Sequence, residues 1–358
     1  MSLQTLFGKQ EQISINEESR KWLITGIGGM VASHLADYCL EQGDEVFGTM
    51  RWFEETNRVD HLRDNPNFHL IPMDLNDLSS CINAVDKVKP DYISHLAAQS
   101  YVSESFDYPY ATIQTNVLGT LNLLEAIRMI RDKDKLDENI PHNSEFDPVI
   151  HICSSSEVYG LVKKEDIPIK ETQNFNPANP YAVGKVGTDM LALLYFTNYG
   201  MKTIRTRMFT HTSGRRSMMS AECNFARQIA RIEKGLQEPI VKHGNLNSVR
   251  TWADARDAVR AYYLLVKKGK AGEVYNIGGK TTKTIGQMLD YMVSLSTKKY
   301  EITKEQDPKL LRPYDVTLQI PDISKFEKDV PEWKPIYSFH DTILDVLNGW
   351  RKKVNVEG

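Results

Sequence analysis

Short apolar runs alternate with longer amphipathic segments from residue 21 onward, and few folds are compatible with that rhythm. The runs predict buried strands at residues 21–25, 45–49, 68–71, 92–96 and 149–153. Between them lie segments with helical spacing, the first running from Met30 to Gln42 and ending at Gly43. Parallel strands need a crossover, usually a helix, between one strand and the next. The order therefore predicts an α/β fold built on a doubly wound parallel sheet, with helices on both faces.

A glycine-rich turn joins the first predicted strand to the first helix. Gly26, Gly28 and Gly29 permit a tight turn and a close approach of a ligand to the backbone, and Met30 and Val31 then open the helix. The free amides and the positive end of that helix suit a pyrophosphate. The position of the turn, directly after the first strand, predicts a dinucleotide cofactor.

The domain boundaries follow from where the strand–helix rhythm holds. We expect a loose N-terminal tail at residues 1–20 and a Rossmann-type NAD(P)-binding domain at 21–205, to which the chain returns near 248–278. Residues 206–350 are predicted to form a smaller mixed α/β C-terminal substrate-binding subdomain that closes over the carboxyl ends of the strands. The charged stretch from Asp132 to Asp147 is predicted to be a surface insertion.

Composition excludes several classes of partner. A formal net charge of −3 produces no field that would attract nucleic acid or an anionic membrane, and no apolar run reaches the length of a membrane span. The four cysteines have no metal-ligand or disulfide spacing, which predicts no metal site and reduced thiols in the cytoplasm.

The nature of the nicotinamide cofactor is less constrained than its presence. The second strand ends at Arg51 and lacks the carboxylate that usually holds the ribose of NAD, so NADP is favoured and NAD stays open. Asp74 follows the third strand, where it would meet the adenine. Further cofactor contacts are predicted at Leu75, Leu96, Ala97 and Ala98.

Tyr181 and Lys185 lie four residues apart after Pro180, a spacing that puts both on one face of a helix. A nearby ammonium favours the phenolate of a tyrosine, which can then take a hydroxyl proton while hydride leaves the same carbon. Ser154, Ser155 and Ser156 follow the fifth strand and are expected to face the same crevice. This set predicts oxidation of a carbinol or reduction of a ketone.

These motifs resemble those of the extended short-chain dehydrogenases/reductases, and more closely those of the GDP-mannose 4,6-dehydratase family. The resemblance is carried by residues 156–162, 180–185, 209–211, 215–216, 244–250 and 312–313 within a collinear match over about residues 21–340. It implies the catalytic residues Ser155, Glu157, Tyr181 and Lys185. It also implies Arg51 as a contact of NADP, and the substrate contacts Ser100, Ser156, Thr210, Arg215, Arg250 and Arg312, of which Arg250 and Arg312 would hold the nucleotide diphosphate. The implied reaction is a 4,6-dehydration of a GDP-linked hexose through transient hydride transfer to bound NADP.

Thr210 and Gly214 depart from the family pattern, which has asparagine and proline there, and they leave the sugar open. A GDP-4-keto-6-deoxy-sugar reductase and an NDP-sugar 4-epimerase or 4-dehydrogenase are alternatives on the same fold. A non-catalytic NADP-sensing protein is a remote alternative. Apolar stripes on the helices at Tyr110–Arg131 and Tyr181–Tyr199 predict a homodimer, and the resemblance also allows a homotetramer.

Overall fold

The computed structural model describes residues 20–133, 146–311 and 315–357. In these ranges the strands are β1 Lys21–Thr25, β2 Glu45–Met50, β3 Phe68–Pro72, β4 Tyr92–His95, β5 Val149–Cys153, β6 Lys202–Met208, β7 His211–Thr212, β8 Ile240–His243, β9 Val249–Asp254, β10 Val274–Ile277, β11 Thr281–Thr284, β12 Thr303–Gln306 and β13 Leu318–Gln319. The α-helices are α1 Met30–Glu41, α2 Leu78–Val88, α3 Val102–Asp107, α4 Pro109–Ile113, α5 Gly119–Asp132, α6 Pro180–Tyr199, α7 Ala221–Glu233, α8 Ala255–Lys268, α9 Ile285–Ser294, α10 Ser324–Asp329 and α11 Phe339–Glu357.

The large sheet has seven parallel strands in the order β10-β6-β5-β4-β1-β2-β3. β1 lies between β4 and β2, so the chain winds outward in both directions from it. This strand order confirms the predicted Rossmann-type doubly wound sheet. The switch in winding direction lies beside β1, and the crevice outside the carboxyl ends of the strands is where such sheets bind ligands.

Successive side chains of the central strands point to opposite faces of the sheet and are buried on both. Trp22 and Ile24 are fully buried in one cluster with residues of α1 and α8. Leu23 and Ile93 are fully buried in the opposite cluster, which α2, α5 and α6 cover. Each such apolar side chain stabilises the fold by about 1.5–3 kcal/mol relative to exposure. Burial on both faces explains why these strands are continuous apolar runs.

The smaller unit is built on β9, which pairs with β7, β11 and β13. A second apolar core lies among α7, α9 and α11. The return to the large sheet consists of α8, which packs on α1, and β10, which pairs with β6, whereas β9 stays in the smaller sheet. Because β9 runs directly into α8, the two units are joined through one continuous segment.

The helix predicted from Tyr110 to Arg131 is interrupted. A π-helical turn, Gln114–Leu118, separates α4 from α5. Within it, the backbone oxygen of Asn116 accepts hydrogen bonds from the hydroxyls of Thr120 and Thr188, at 2.6 and 2.7 Å. Turns of this kind occur frequently at functional sites. Most of the insertion predicted at Asp132 to Asp147 lies outside the described residues, as does the predicted tail apart from Arg20.

Candidate active site

The glycine-rich turn has the geometry that a pyrophosphate requires. Gly26 has a φ of 70°, and a Cβ added there would lie 2.9 Å from the Cα of Ala97. Gly29 precedes the first turn of α1, where no side chain caps the helix and no acidic residue is present. The positive end of a twelve-residue helix therefore faces the turn, with no acidic residue in the first turn of the helix itself. These residues fit the diphosphate of a dinucleotide.

The segment after β4 closes one side of this turn. The backbone amides of Leu96 and Ala97 both donate to Oγ1 of Thr25, at 3.0 Å. Gln99 exchanges two hydrogen bonds with the side chain of Asn116, in the π-helical turn. Ala98 between them is half-buried, and Ser100 beyond them is exposed. The predicted contacts from Leu96 to Ser100 thus form one anchored segment beside the glycine turn.

Arg51 and Asp74 follow neighbouring strands, as the sequence predicts. The guanidinium of Arg51 is half exposed, lies 4.9 Å from the ring centre of Phe53 and is 3.7 Å from the carboxylate of Glu54. Asp74 lies two residues after β3 and accepts a hydrogen bond from the Asn76 amide at 2.9 Å, while Leu75 is buried. Arg51 is therefore available to an anion at the end of β2.

Arg58 is a connection that the sequence did not predict. Its guanidinium donates to the backbone oxygens of Gly28 and Arg215, both at 2.7 Å. A Cβ added to Gly28 would lie 2.6 Å from the carbonyl oxygen of Glu55. The segment after β2 therefore packs directly on the glycine turn and joins it to the loop after β7.

Tyr181 lies in the first turn of α6 and is hydrogen-bonded to the hydroxyl of Ser155, at the end of β5. Burial raises the pKa of Tyr181, and the Ser155 hydrogen bond partly offsets that rise. The expected lowering by a nearby ammonium is not seen in this state of the protein. The phenol is therefore protonated at neutral pH and already paired with the hydroxyl predicted to orient the substrate.

Lys185 lies one helical turn after Tyr181, and its Nζ donates to the backbone oxygen of Cys153 at 2.6 Å. Burial lowers the pKa of Lys185. Burial, and secondarily the Lys185 charge, also lower the pKa of His95 and of His151 to about 3. Both rings are consequently neutral at neutral pH. Because the two rings add no positive charge near Lys185, Lys185 can carry the positive charge of this cluster.

Glu157 lies in a 3₁₀ turn, Ser156–Tyr159, directly after Ser155. Its Oε1 accepts from Nε2 of Gln319 at 2.9 Å, and its Oε2 accepts from Nδ2 of Asn179 at 3.1 Å. Oδ1 of Asn179 also accepts from the amide of Ala182 at 2.8 Å and so caps α6. A single residue thus connects the half-buried carboxylate of Glu157 to the helix that carries Tyr181.

A buried charged network holds α6 against the turn that carries Glu157. Asp189, on α6, accepts from Arg205 at 3.0 Å and from Arg207 at 2.9 Å. The guanidinium of Arg207 also donates to the phenol oxygen of Tyr159 at 3.0 Å. Removing one partner of such a network leaves an uncompensated buried charge, which is strongly destabilising. The network therefore fixes the spacing between Glu157 and the Tyr181 helix.

The predicted substrate residues differ in how well their positions suit that role. Thr210 is half-buried between β6 and β7. Arg250 is buried on β9 and donates to the backbone oxygen of Val316 at 2.7 Å. Arg312 lies outside the described residues. Ser156 does not face open space, because its hydroxyl donates to Oε1 of Gln319 at 3.1 Å.

Arg215, another predicted substrate contact, already has a partner within the protein. Its guanidinium forms a 2.7 Å ion pair with Asp37 of α1. The loop after β7 folds back on α1, which supplies a counter-charge that the sequence does not reveal. Its neighbour Arg216 contacts Glu222 at 3.1 Å and so is also paired within the protein.

The site therefore assembles Ser155, Glu157, Tyr181 and Lys185 at the carboxyl ends of β5 and the start of α6. Sequence reasoning missed Asn116, Asn179, Gln319 and Arg58. Asn179 had a detectable signal, since asparagine before a proline is a common helix start. The others had none, because their partners are remote in sequence. Within the described ranges, no group of His, Cys, Asp and Glu side chains is placed to hold a metal ion.

A cavity with a volume of about 580 Å³ lies between α7, β8 and β12. Its lining includes Arg227, Lys242 and Leu310. A smaller cavity of about 330 Å³ lies near Trp252 and Tyr337. Neither is lined by Tyr181 or Glu157.

Comparison with known proteins gives a consistent result. The family model described as "GDP-mannose 4,6 dehydratase" matches residues 23–346. The chain is 31% identical to a GDP-mannose 4,6-dehydratase of Yersinia enterocolitica, over 92% of this chain and 93% of that protein. It is also 31% identical to a GDP-6-deoxy-D-mannose reductase of Pseudomonas aeruginosa, over 75% of this chain and 83% of that protein.

A solved structure has the same fold. The protein RMD of Pseudomonas aeruginosa, in complex with NADPH, superposes with a TM-score of 0.75 at 26% identity. The match covers 94% of this chain and all of that chain. The similarity thus extends over both the large sheet and the smaller unit.

Proposed function

The chain belongs to the GDP-mannose 4,6-dehydratase family, and on that premise we propose that it removes water from a GDP-linked hexose to give the 4-keto-6-deoxy sugar. The single observation that carries the proposal is the carboxylate of Glu157, held by Gln319 and Asn179 close to the pair of Ser155 and Tyr181. Oxidation of an alcohol needs Tyr181 with Ser155 and Lys185 alone. A carboxylate on the same turn supplies the base that an elimination requires in addition.

The chain binds a nicotinamide cofactor, which when bound supplies a hydride acceptor that later returns the hydride. Gly26 and Gly29 with the start of α1 would hold its diphosphate, and the segment from Leu96 to Ser100 would line the same crevice. We propose NADP as the form bound. Arg51 supports this choice, because it directly follows β2 and its half-exposed guanidinium lies where a 2′-phosphate would need a cation.

The first role of the protein is to take a proton from the sugar 4-hydroxyl. The Tyr181 phenol is paired with Ser155 in the described state, so a sugar hydroxyl can enter the same hydrogen-bond chain. Its deprotonation costs more where burial raises the pKa, and a cation nearby reduces that cost. Lys185, one turn along α6, is the cation placed to do so once its bond to Cys153 is exchanged.

The second role belongs to Glu157. A ketone at carbon 4 acidifies the proton on carbon 5, and Glu157 takes it. The hydroxyl on carbon 6 then leaves as water, after receiving a proton from the protonated Glu157. Two protons are removed from the sugar, one from the 4-hydroxyl and one from carbon 5. Two protons are supplied, one to the leaving hydroxyl and one to carbon 5. Net oxidation state is unchanged, so no cofactor is consumed.

The experiment that tests this function is incubation of the purified protein with GDP-mannose, GDP-N-acetylglucosamine and GDP-heptose, followed by mass spectrometry. We expect one of them to lose the mass of one water without added reductant. The substrate that reacts also identifies the sugar, which the departures from the family pattern at Thr210 and Gly214 leave open. Full recovery of all three sugars unchanged would contradict the proposal.

A reductase acting on a GDP-4-keto-6-deoxy sugar is the second candidate, favoured by the similarity to the Pseudomonas reductase. Tyr181, Lys185 and Ser155 would serve that reaction equally well. The dehydratase and reductase functions differ in the amount of NADPH consumed, because a reductase consumes one NADPH for each product molecule. For a dehydratase, we expect more product than added cofactor and no lasting change in nicotinamide absorbance.

Replacing Arg51 with Ala is expected to weaken NADP binding roughly 10- to 100-fold, the value of a hydrogen bond to a charged group, and to leave NAD binding unchanged. The measurement is calorimetric titration of each cofactor. Arg63→Ala is the matched control, since Arg63 is also half exposed and paired with a carboxylate, but it follows the 3₁₀ turn Asn57–Leu62 rather than β2. Equal losses for NADP and NAD in the Arg51 variant would contradict a role in phosphate recognition.

We propose a homo-oligomer in which a second copy packs on α5 and α6. Val183, Met190 and Leu194 form an exposed apolar stripe on α6, and Leu118 and Met129 extend it along the neighbouring helix. Trp52 and Phe53, exposed after β2, support a further contact in a tetramer. Light scattering of the purified protein measures whether a dimer or a tetramer forms.

All four cysteines are free thiols, which supports the cytoplasm as the compartment. Among the described residues, none of the helices has the length and apolarity that crossing a membrane demands.

A further inference from the structure

Two amide side chains from distant parts of the chain hold the carboxylate of Glu157. Gln319 donates to one oxygen at 2.9 Å and Asn179 to the other at 3.1 Å. Gln319 is 162 residues away in sequence, whereas Asn179 begins the helix of Tyr181. Because each oxygen has its own donor, both the position and the rotation of the carboxylate are fixed.

Ser156 determines which way the Gln319 amide points. The Ser156 hydroxyl donates to Oε1 of Gln319 at 3.1 Å, so the NH₂ group of the amide is turned toward Glu157. The residues Ser156 and Gln319 are only 4% and 3% exposed. Water therefore has little access to compete for these two hydrogen bonds, and the amide has one orientation.

The backbone around Gln319 is held on both sides. β13 pairs in parallel with β9, which places Gln319 opposite Arg250. On the other side, the amide of Ile169 donates to the Ile320 oxygen, and the Asp322 amide donates to the Ile169 oxygen, both at 2.8 Å. A residue in so short a strand would otherwise move with its loop. These bonds make Gln319 a rigid support rather than a chance contact.

We propose that Gln319 is a positioning residue for proton removal from carbon 5 by Glu157, with no part in the proton transfer to Tyr181. The inference rests on the proposed function. A neutral amide N–H only donates, so Gln319 cannot take the substrate proton itself. Its effect is to keep Glu157 in one rotamer as the proton moves, and such preorganisation acts on the rate of that step.

The test compares Gln319→Met with the unaltered holoenzyme. Methionine has a similar length and flexibility but no N–H donor. Two readouts separate the steps: deuterium entry from D₂O at carbon 5 of the 4-keto-6-deoxy product, and the rate of the initial oxidation in a single turnover. Deuterium entry at carbon 5 requires only Glu157 as the base, because the product already contains the ketone at carbon 4.

We expect exchange at carbon 5 and overall dehydration to fall roughly 10- to 100-fold, the rate equivalent of one hydrogen bond to a charged group. The initial oxidation and the KM are expected to stay at their unaltered values. Thr317→Val is the matched control, since Thr317 lies two residues away on the same segment and is exposed. It is expected to change neither readout.

Gln319→Asn provides a second variant if the Met variant fails to fold, because its amide is one methylene too short to reach Glu157. Unaltered exchange at carbon 5 in a folded variant would overturn the proposal. So would an equal fall in both readouts, since that pattern indicates a general structural defect. If the unaltered protein dehydrates no GDP-hexose, the proposed function fails instead, before any variant is compared.

Discussion

Replacing Glu157 with Gln will stop dehydration while leaving the oxidation at carbon 4 in place. General base catalysis by a positioned side chain contributes roughly 100- to 10,000-fold, and this is the loss expected in product formation. Glutamine fills the same space, so the fold and the cofactor site are expected to persist. Its single carbonyl oxygen can accept from Asn179 or from Gln319, but it cannot take a proton from carbon 5 at neutral pH.

The measurement is a single-turnover experiment with holoenzyme and an accepted GDP-hexose. Near-ultraviolet absorbance reports the oxidation, and mass spectrometry reports the loss of water. We expect the absorbance change to appear and persist in the variant, without dehydrated product. Glu165→Gln is the control, because Glu165 is exposed in the next 3₁₀ turn. Dehydration at the unaltered rate in the Glu157 variant would remove Glu157 from the reaction.

Replacing Tyr181 with Phe has the complementary expected outcome. The substitution removes only the phenol oxygen, which is hydrogen-bonded to Ser155 and is the group that receives the 4-hydroxyl proton. We expect a loss of roughly 100- to 10,000-fold in the oxidation itself, with no absorbance change on mixing. Proton exchange at carbon 5 of the finished product should continue, because Glu157 and its two amide donors remain.

The matched control for Tyr181→Phe is Tyr199→Phe, an exposed tyrosine at the end of the same helix. Cofactor binding by calorimetry is expected to be retained in both variants, since the glycine turn is untouched. An oxidation rate in Tyr181→Phe equal to that of the control would contradict the assignment. The two variants together divide the reaction into a tyrosine-dependent step and a glutamate-dependent step.

The large sheet was predictable because its strands are buried on both faces. β1 and β5 begin and end where their apolar runs do, and β2, β3 and β4 differ from prediction by one residue. The turn at Gly26 was predictable for a related reason, since its positive φ favours glycine. Such features are local, so the sequence around them contains the information.

The contacts that complete the site are not local. β13 has two residues and no periodicity, and it exists through its pairing with β9. Nothing near Gln319 indicates that its amide meets Glu157. The same limit explains Arg215, whose counter-charge on Asp37 comes from another element. The raised pKa of Tyr181 likewise depends on burial, which the spacing to Lys185 does not reveal.

The central claim is that hydrogen leaves carbon 4 and returns to carbon 6 of the same sugar, and that Glu157 removes water between these two events. A GDP-hexose labelled with deuterium at carbon 4 tests it most directly. Mass spectrometry and NMR of the product should find the deuterium on carbon 6, with unlabelled NADP added in excess. A product whose carbon 6 carries only solvent or cofactor hydrogen would contradict the claim.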